Sequence, residues 1–510
     1  MAERLKQEIK ANALHRQRIN NSASKDVAPP QAVDLQQATV AEGDANLALD
    51  VVHHDVPASM QCNGDAPSVI TFGRSEAVLF MFYVEKLLPF LFPFYRPSLL
   101  EGGKAWILEM MLRRPVIRQV VLCQSLYFSL PRGTTTSTAA WKQLLTQTQD
   151  AVTVLRNALQ MMQGSHVAQH LHGAVRIMSS ILQLQRFEVA VLSFDNWPTH
   201  LNAALELFKQ LLDAACDSPS GDSRSRFNAV MRRLGPSSEQ SPMDSLLPTS
   251  EQAALPFSAS ILLFDDIIAS TVLREQPRLY DYHRSLLEGE ESSEAVVNLE
   301  AVIGVKNEVM LAIGEISALD AWKQQGSTSG SLDILELTRR AIIISNSVRS
   351  AIKNSSLEDG AVELNSPLDV FEPYTCPLSE IPADLGILVT QVWAHGALIY
   401  LTLVVTGWQP DNADLRSHVD QVVKLLSDMT PPALLRTMIW PFCVAGCLAE
   451  PCQGSEFRAI VQKLNRDVCG TAYKALGIME HVWQSRHNGD GETRDLAMCF
   501  RSHGDLPLLV

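Results

Sequence analysis

Apolar residues recur along this chain mostly at intervals of three and four. Leu144, Thr148, Val152, Leu155, Leu159 and Met162 form one such stripe, the spacing of a single buried helix face. Asn196-Trp197-Pro198-Thr199 stands before a second stripe of Leu201, Ala204, Leu205, Phe208, Leu211 and Leu212. Pro198 suits the first helical turn, where its missing N–H costs little. Val461, Leu464, Val468, Ala472, Ala475, Met479 and Val482 trace a third stripe, with Ser455 as its expected N-cap. Strand-like alternation is rare and short. The pattern predicts an all-α protein, a large helical bundle or stack of helix hairpins.

One apolar run is long enough to span a bilayer. Leu385 to Trp408 carries no formal charge over 24 residues. Gln391 and His395 lie near its centre, its flanks (Asp384, Asp411, Asp414) are acidic, and no Lys or Arg lies between Lys353 and Arg416 to set an orientation. A helix apolar all round is also what the centre of a large helical protein requires. The expectation is a buried helix and no membrane.

The periodicity fails in three places. Residues 1–70 read as disordered. A basic start from Arg4 to Lys25 gives way to a stretch up to Arg74 with Asp26, Asp34, Glu42, Asp44, Asp50, Asp55 and Asp65 and no cation. Residues 216–256 are rich in Ser and Pro and read as a loop insertion. Residues 354–383 read as a second, acidic one, with Glu358, Asp359, Glu363, Asp369, Glu372 and Glu380.

Charge sharpens this picture. The 510 residues carry 42 Lys+Arg against 56 Asp+Glu, a net charge of −14, with 46% apolar and only 19% charged residues. That content supports a sizeable core and excludes a wholly disordered or coiled-coil chain. A DNA-binding surface spread over the whole chain is excluded too, because phosphate neutralisation needs clustered Lys and Arg. Nine scattered Cys without C-x-x-C spacing read as reduced thiols.

Candidate chemistry is sparse. Cys443, Cys447 and Cys452, with His481 or His487, have the types a zinc ion takes, yet Cys443 and Cys447 sit in the apolar run IWPFCVAGCLA and read as core residues. His166 and His170 share a helical face, with His172 close by, but lack a carboxylate partner in the H-E-x-x-H sense. His53-His54-Asp55 falls in the disordered stretch. Asp265-Asp266 in ILLFDDIIASTVL evokes the Mg²⁺-binding acidic face of a terpene cyclase, but the third carboxylate position is Ala269 and adjacent carboxylates diverge on a helix. The expectation is two aspartates at a helix surface or cap. No phosphate-binding glycine loop, dinucleotide fingerprint or nucleophile elbow occurs. These residues predict no enzyme, no catalytic, cofactor-binding or metal residues, and no cofactor.

More distinctive is Phe82-Tyr83-Val84-Glu85-Lys86-Leu87-Leu88-Pro89-Phe90-Leu91-Phe92-Pro93-Phe94-Tyr95-Arg96-Pro97-Ser98 followed by Trp106-Ile107-Leu108-Glu109. After it come Phe264-Asp265-Asp266-Ile267, Pro277-Arg278-Leu279-Tyr280-Asp281-Tyr282-His283, Ile313-Gly314-Glu315-Ile316, Ala321-Trp322-Lys323, Trp440 to Ala449, Phe457-Arg458 and Met479-Glu480-His481-Val482-Trp483. In this order they resemble the fungal-specific transcription factor domain, the helical regulatory region of binuclear zinc-cluster regulators, over about 75 to 487. The resemblance implies a transcriptional regulator or co-regulator in the nucleus, acting through contacts with other transcription regulators or with itself as a homodimer. A metabolite in a helix-lined cavity is a further option. Residues 488–510 are set apart as a tail. Such regulators begin with a six-cysteine zinc cluster that places a helix on DNA; here only Cys62 precedes Cys123. DNA contact is therefore expected only indirectly or through a zinc-cluster module missing from these residues. The alternatives are a helical interaction scaffold without a transcription role and a Mg²⁺-dependent terpene-cyclase-like enzyme.

Overall fold

Helices form wherever the apolar spacing persists. The computed structural model describes residues 73–98, 102–113, 115–129, 170–214, 222–235, 247–289, 294–357, 383–466, 469–485, 495–501 and 506–510, with positions 146 and 153. Among the described residues there is no strand. The stripe from Leu144 to Met162, the stretch 1–70 and most of 354–383 lie outside them, as does His166.

The described residues open with α1 (Arg74–Phe82), which continues through a wider turn at Tyr83–Leu87 into Leu88–Leu91. Then come α2 (Ala105–Arg113), α3 (Pro115–Ser129), α4 (Leu171–Ala190), α5 (Trp197–Ala214), α6 (Ser223–Arg233), α7 (Ser250–Leu273) and α8 (Tyr280–Leu287). The second half holds α9 (Asn307–Ser329), α10 (Ile334–Leu357), α11 (Ala383–Thr406) and α12 (Ala413–Ser427). A 3-10 helix (Pro432–Met438) leads into α13 (Ile439–Leu448), followed by α14 (Gly454–Gln462), α15 (Gly470–Ser485) and α16 (Leu496–Phe500). Sequential helices pack as neighbours: α4 on α5, α9 on α10, α10 on α11 and α11 on α12. At the centre α7 touches α2, α4, α5, α9 and α16.

The stripe predicted from Leu201 to Leu212 is the buried face of α5. Among the described residues two helices are long and apolar enough to cross a membrane, Ser250–Leu273 and Asp384–Thr406, and both are mostly buried, 89% and 67% of their apolar windows. The run 385–408 is thus a core helix, as its lack of flanking cations suggests. Trp393 of α11 stacks on Trp440 of α13, with centroids 5.6 Å apart and planes 5° from parallel. Trp440 Nε1 donates to Thr271 Oγ1 at 2.8 Å, which satisfies the one polar atom of a fully buried ring.

The aromatic segment after α1 folds onto the same body. Phe92 and Tyr95 pack on Phe257 of α7, with centroids 4.9 and 4.5 Å away, and Trp106 Nε1 donates to the Tyr95 hydroxyl at 2.8 Å. Phe94 lies against Gly304, whose φ of +87° suits glycine; a Cβ there would overlap the ring.

α4 and α7 meet through three rungs of polar side chains. His172 and Arg176 pair with Glu251, Ser179 Oγ bonds Ser258 Oγ at 2.7 Å, and Arg186 pairs with Asp265. On each helix the rungs repeat every seven residues, so the two helices run parallel with one seam facing the other.

Several sequence expectations need correction. The stretch 216–256 is not all loop. Asp222 caps α6 by accepting from the Ser225 N–H at 3.0 Å, and Phe227 and Val230 bury its apolar face. α7 starts at Ser250 on a capping box of Thr249 and Gln252. Ser455 is no N-cap: it lies inside α14 and donates to the Cys452 carbonyl. The third stripe is split into α14 and α15 by a break near Leu464. The described part of 488–510 is core, since Phe500, Leu508 and Leu509 are buried and Trp197 Nε1 donates to the Leu506 carbonyl at 2.7 Å.

Candidate functional site

Asp265 and Asp266 occupy the middle of α7. Both are fully buried, not on a helix surface. Adjacent helical positions project about 100° apart, and the two carboxylates serve different partners. Asp266 accepts the N–H groups of Arg278 and Leu279 at 3.1 and 2.8 Å and lies 3.5 Å from His283 Nε2. It therefore ties down the chain entering α8. Asp265 takes Gln185 Nε2 at 2.8 Å and Arg186 at 2.5 Å. Burial pushes the Asp265 carboxyl up to about 6, against the pull of Arg186 and with the Asp266 charge adding to the rise. The two groups do not converge on one point where a metal-bound diphosphate would sit.

The other candidates disperse likewise. Cys443 and Cys447 are buried in α13 while Cys452 is exposed. His170 is the residue before α4 and His172 pairs with Glu251. His395 of the long apolar helix meets His418 of α12, Nδ1 to Nδ1 at 3.0 Å. One ring must donate and the other accept. Burial, with His418 and Arg349 nearby, depresses His395 to about 4.

Arg186 leads to a feature the sequence did not disclose. It forms one wall of a central cavity of about 90 Å³. The aromatic segment contributes Phe90 to Pro93, α7 contributes Phe264, α11 contributes Trp393, and the 3-10 helix contributes Arg436 and Thr437. Gly470 and Thr471 begin α15 there, and Leu509 and Val510 close one side. Phe264 meets Trp393 edge-on at 5.5 Å and carries the Arg186 guanidinium 5.6 Å above it. The Arg436 guanidinium lies 4.0 Å from the centroid of Phe90.

The two cations differ. Arg186 has Asp265 as its counter-ion, whereas among the described residues no carboxylate lies within salt-bridge distance of Arg436. Burial pulls the Arg436 guanidinium down to about 10; Cys469 opposes this and the Arg186 charge adds to it. Arg436 still carries its charge at neutral pH. The cavity therefore combines aromatic walls with one cation, Arg436, that has no carboxylate within salt-bridge distance among the described residues. A second cavity, of about 210 Å³, is lined by Arg274, Lys323, Asp320 and Asp495. Its charges balance: Arg274 bonds both carboxylates and ties α16 to α7 and α9.

Arg186 and Arg436 each stand alone in apolar text, ILQLQRFEVAVL and ALLRTMIW. A lone cation inside a buried-helix pattern is a signal that needs a partner or a purpose.

The model of the fungal specific transcription factor domain matches residues 78–503. The chain belongs to this family. The family match covers every described helix from α2 to α16 and reaches past the domain end expected at 487. The chain is 34% identical to the transcription factor dibT of Pestalotiopsis microspora, over 84% of this chain and 70% of that protein. It is 24% identical to the pestheic acid cluster transcriptional regulator 3 of Pestalotiopsis fici, over 84% and 74%. It is also 24% identical to the trichothecene biosynthesis transcription regulator TRI10 of Trichoderma arundinaceum, over 81% and 92%. No solved structure matches. In this chain the aromatic segment, the Asp265-Asp266 pair and the Trp440 segment each pack in the core described above.

Proposed function

We propose that this chain is a regulator of transcription for a set of biosynthetic genes, working through contacts made by its helical body and not through catalysis. The observation that carries this reading is the family membership over nearly the whole folded region, with relatives named as transcription factors and cluster regulators. The interior agrees with it, because the acidic pair, the thiols of α13 and His172 are each engaged in packing or pairing. The TRI10 relative is matched over 92% of its length by the same helical region, which supports that region as a working unit in its own right. DNA would then be engaged through another module or a partner regulator.

Partner contact has a natural place on α10. Leu335, Ile342 and Ile343 stand exposed there, 84%, 54% and 54% of each in solvent, on a helix whose other face packs on α9 and α11. Tagged protein in the nucleus, with transcripts of one gene cluster falling on its deletion, is the expected result. Nuclear exclusion would favour the scaffold reading. Specific, salt-resistant binding of promoter DNA by the purified chain would overturn the indirect-contact part.

A further inference from the structure

We propose that the central cavity is a binding site for a small organic anion, a carboxylate carried on an aromatic or branched apolar body. Three observations converge on this class. First, Arg436 is a half-buried cation on the cavity wall without a carboxylate partner among the described residues. A charge drawn partly out of water gains from a counter-ion.

Second, the orientation of Arg436 suits a planar acid. Its guanidinium lies 4.0 Å from the Phe90 centroid, within cation–π range. The guanidinium N–H groups make no hydrogen bond to another described residue, which leaves them available to a bidentate carboxylate. Thr437 and Thr471 add hydroxyls on the same lining. Third, the remaining walls are apolar: Phe264, Trp393 and Ile439 offer packing but no further charge. A multiply charged phosphate would meet one unpaired cation in an apolar shell, whereas a monocarboxylate matches both the charge and the walls. The space of about 90 Å³ is smaller than the roughly 150 Å³ that holds benzene, which favours the branched aliphatic acid over the aromatic ones.

The lining comes from distant parts of the chain, the Phe90 segment, α4, α7, α11, the 3-10 helix and α15. A ligand there fastens the aromatic segment to the body. The site is separate from the exposed face of α10, so it does not depend on which partner the domain contacts.

The test uses the full chain and thermal unfolding with benzoate, phenylacetate and 3-methylbutanoate, each against its neutral amide, up to about 10 mM. Titration calorimetry then gives affinities. At least one acid raises the melting temperature and binds at least about tenfold more tightly than its amide, the scale of one charge-assisted pair. Arg436→Met removes that preference. The same variant without ligand melts higher than wild type, because the surplus charge is gone; a residue serving only to brace Phe90 would melt lower. Arg436→Lys keeps the charge but not the planar fork, so it retains the preference for acid over amide with weaker binding. The proposal is overturned by equal binding of acid and amide, by unchanged acid binding in Arg436→Met or Arg436→Lys, or by no melting shift with any acid.

Discussion

Asp265→Ala tests whether the buried acid of α7 is structural. The Arg186–Asp265 pair is 2.5 Å apart, with Asp265 fully buried and the Arg186 side chain 15% exposed. Removing the carboxylate strands a guanidinium that cannot shed its proton. Breaking a buried pair from one side costs about 3–5 kcal/mol. Gln185 Nε2 loses its acceptor as well, so the upper half of that range is expected. Arg186→Met is milder. The Asp265 carboxyl already titrates near 6 and takes up a proton when its cation is lost, which an arginine cannot mirror. The double variant should then cost less than the sum of the two, with a coupling of about 2–3 kcal/mol.

The assay is urea unfolding followed by far-UV circular dichroism. With a slope of about 3 kcal/mol per molar urea, Asp265→Ala lowers the midpoint by about 1 M or more. A change below about 0.2 M, or a larger loss in Arg186→Met than in Asp265→Ala, would refute the reasoning. An acid serving as a metal ligand at an open site would behave in the first of these ways.

Three further outcomes follow from the same structure. Glu251 is opposed by burial but held at about 2 by His172 and Arg176; its stabilisation is present above the ordinary value of 4.5 and lost as pH falls toward 2, so Glu251→Gln flattens the acid limb of a melting-temperature profile. His395 is depressed from 6.5 to about 4, so its protonation opposes folding; stability from its neutral form is full above 6.5 and declines toward 4, and His395→Phe removes that part of the decline in the same profile. Gly304→Ala meets both a φ of +87° and the ring of Phe94, while Gly330→Ala meets a φ of +68° with open space around it. Calorimetric melting should show Gly304→Ala losing about 3 kcal/mol and Gly330→Ala about 1 kcal/mol; equal losses would show that Phe94 yields freely.

Much of the helical architecture was legible because apolar spacing is a local property. Leu201 to Leu212 sit one turn apart and bury together in α5 whatever surrounds them. α6 was missed because Ser and Pro outnumber its few apolar residues, although Asp222 with a basic last turn is a helix signal on both ends. The Thr249–Gln252 capping box was likewise in plain text before a long apolar run. The central cavity was not legible. Arg186 and Arg436 are separated by two hundred and fifty positions, and only the tertiary packing brings both to one cavity. Burial of Asp265 was hidden for the same reason: its partners lie on another helix.

The seam between α4 and α7 bears on why such charges persist in the core. α7 is buried on nearly all sides, so hydrophobic burial alone gives it no preferred rotation about its axis. The rungs Glu251, Ser258 and Asp265, set against His172, Ser179 and Arg186, supply one. A one-residue slip would rotate each polar group by about 100° into apolar neighbours and leave it unpaired. Replacing one rung by apolar residues of similar volume is often neutral in stability, but it loosens register. The consequence reaches the cavity directly, since Arg186 is both the last rung and a wall beside Arg436. An Arg186→Met/Asp265→Leu protein that keeps its melting temperature but loses 3-methylbutanoate binding would separate the two roles, whereas unchanged binding would show that the rung does not set the cavity's shape.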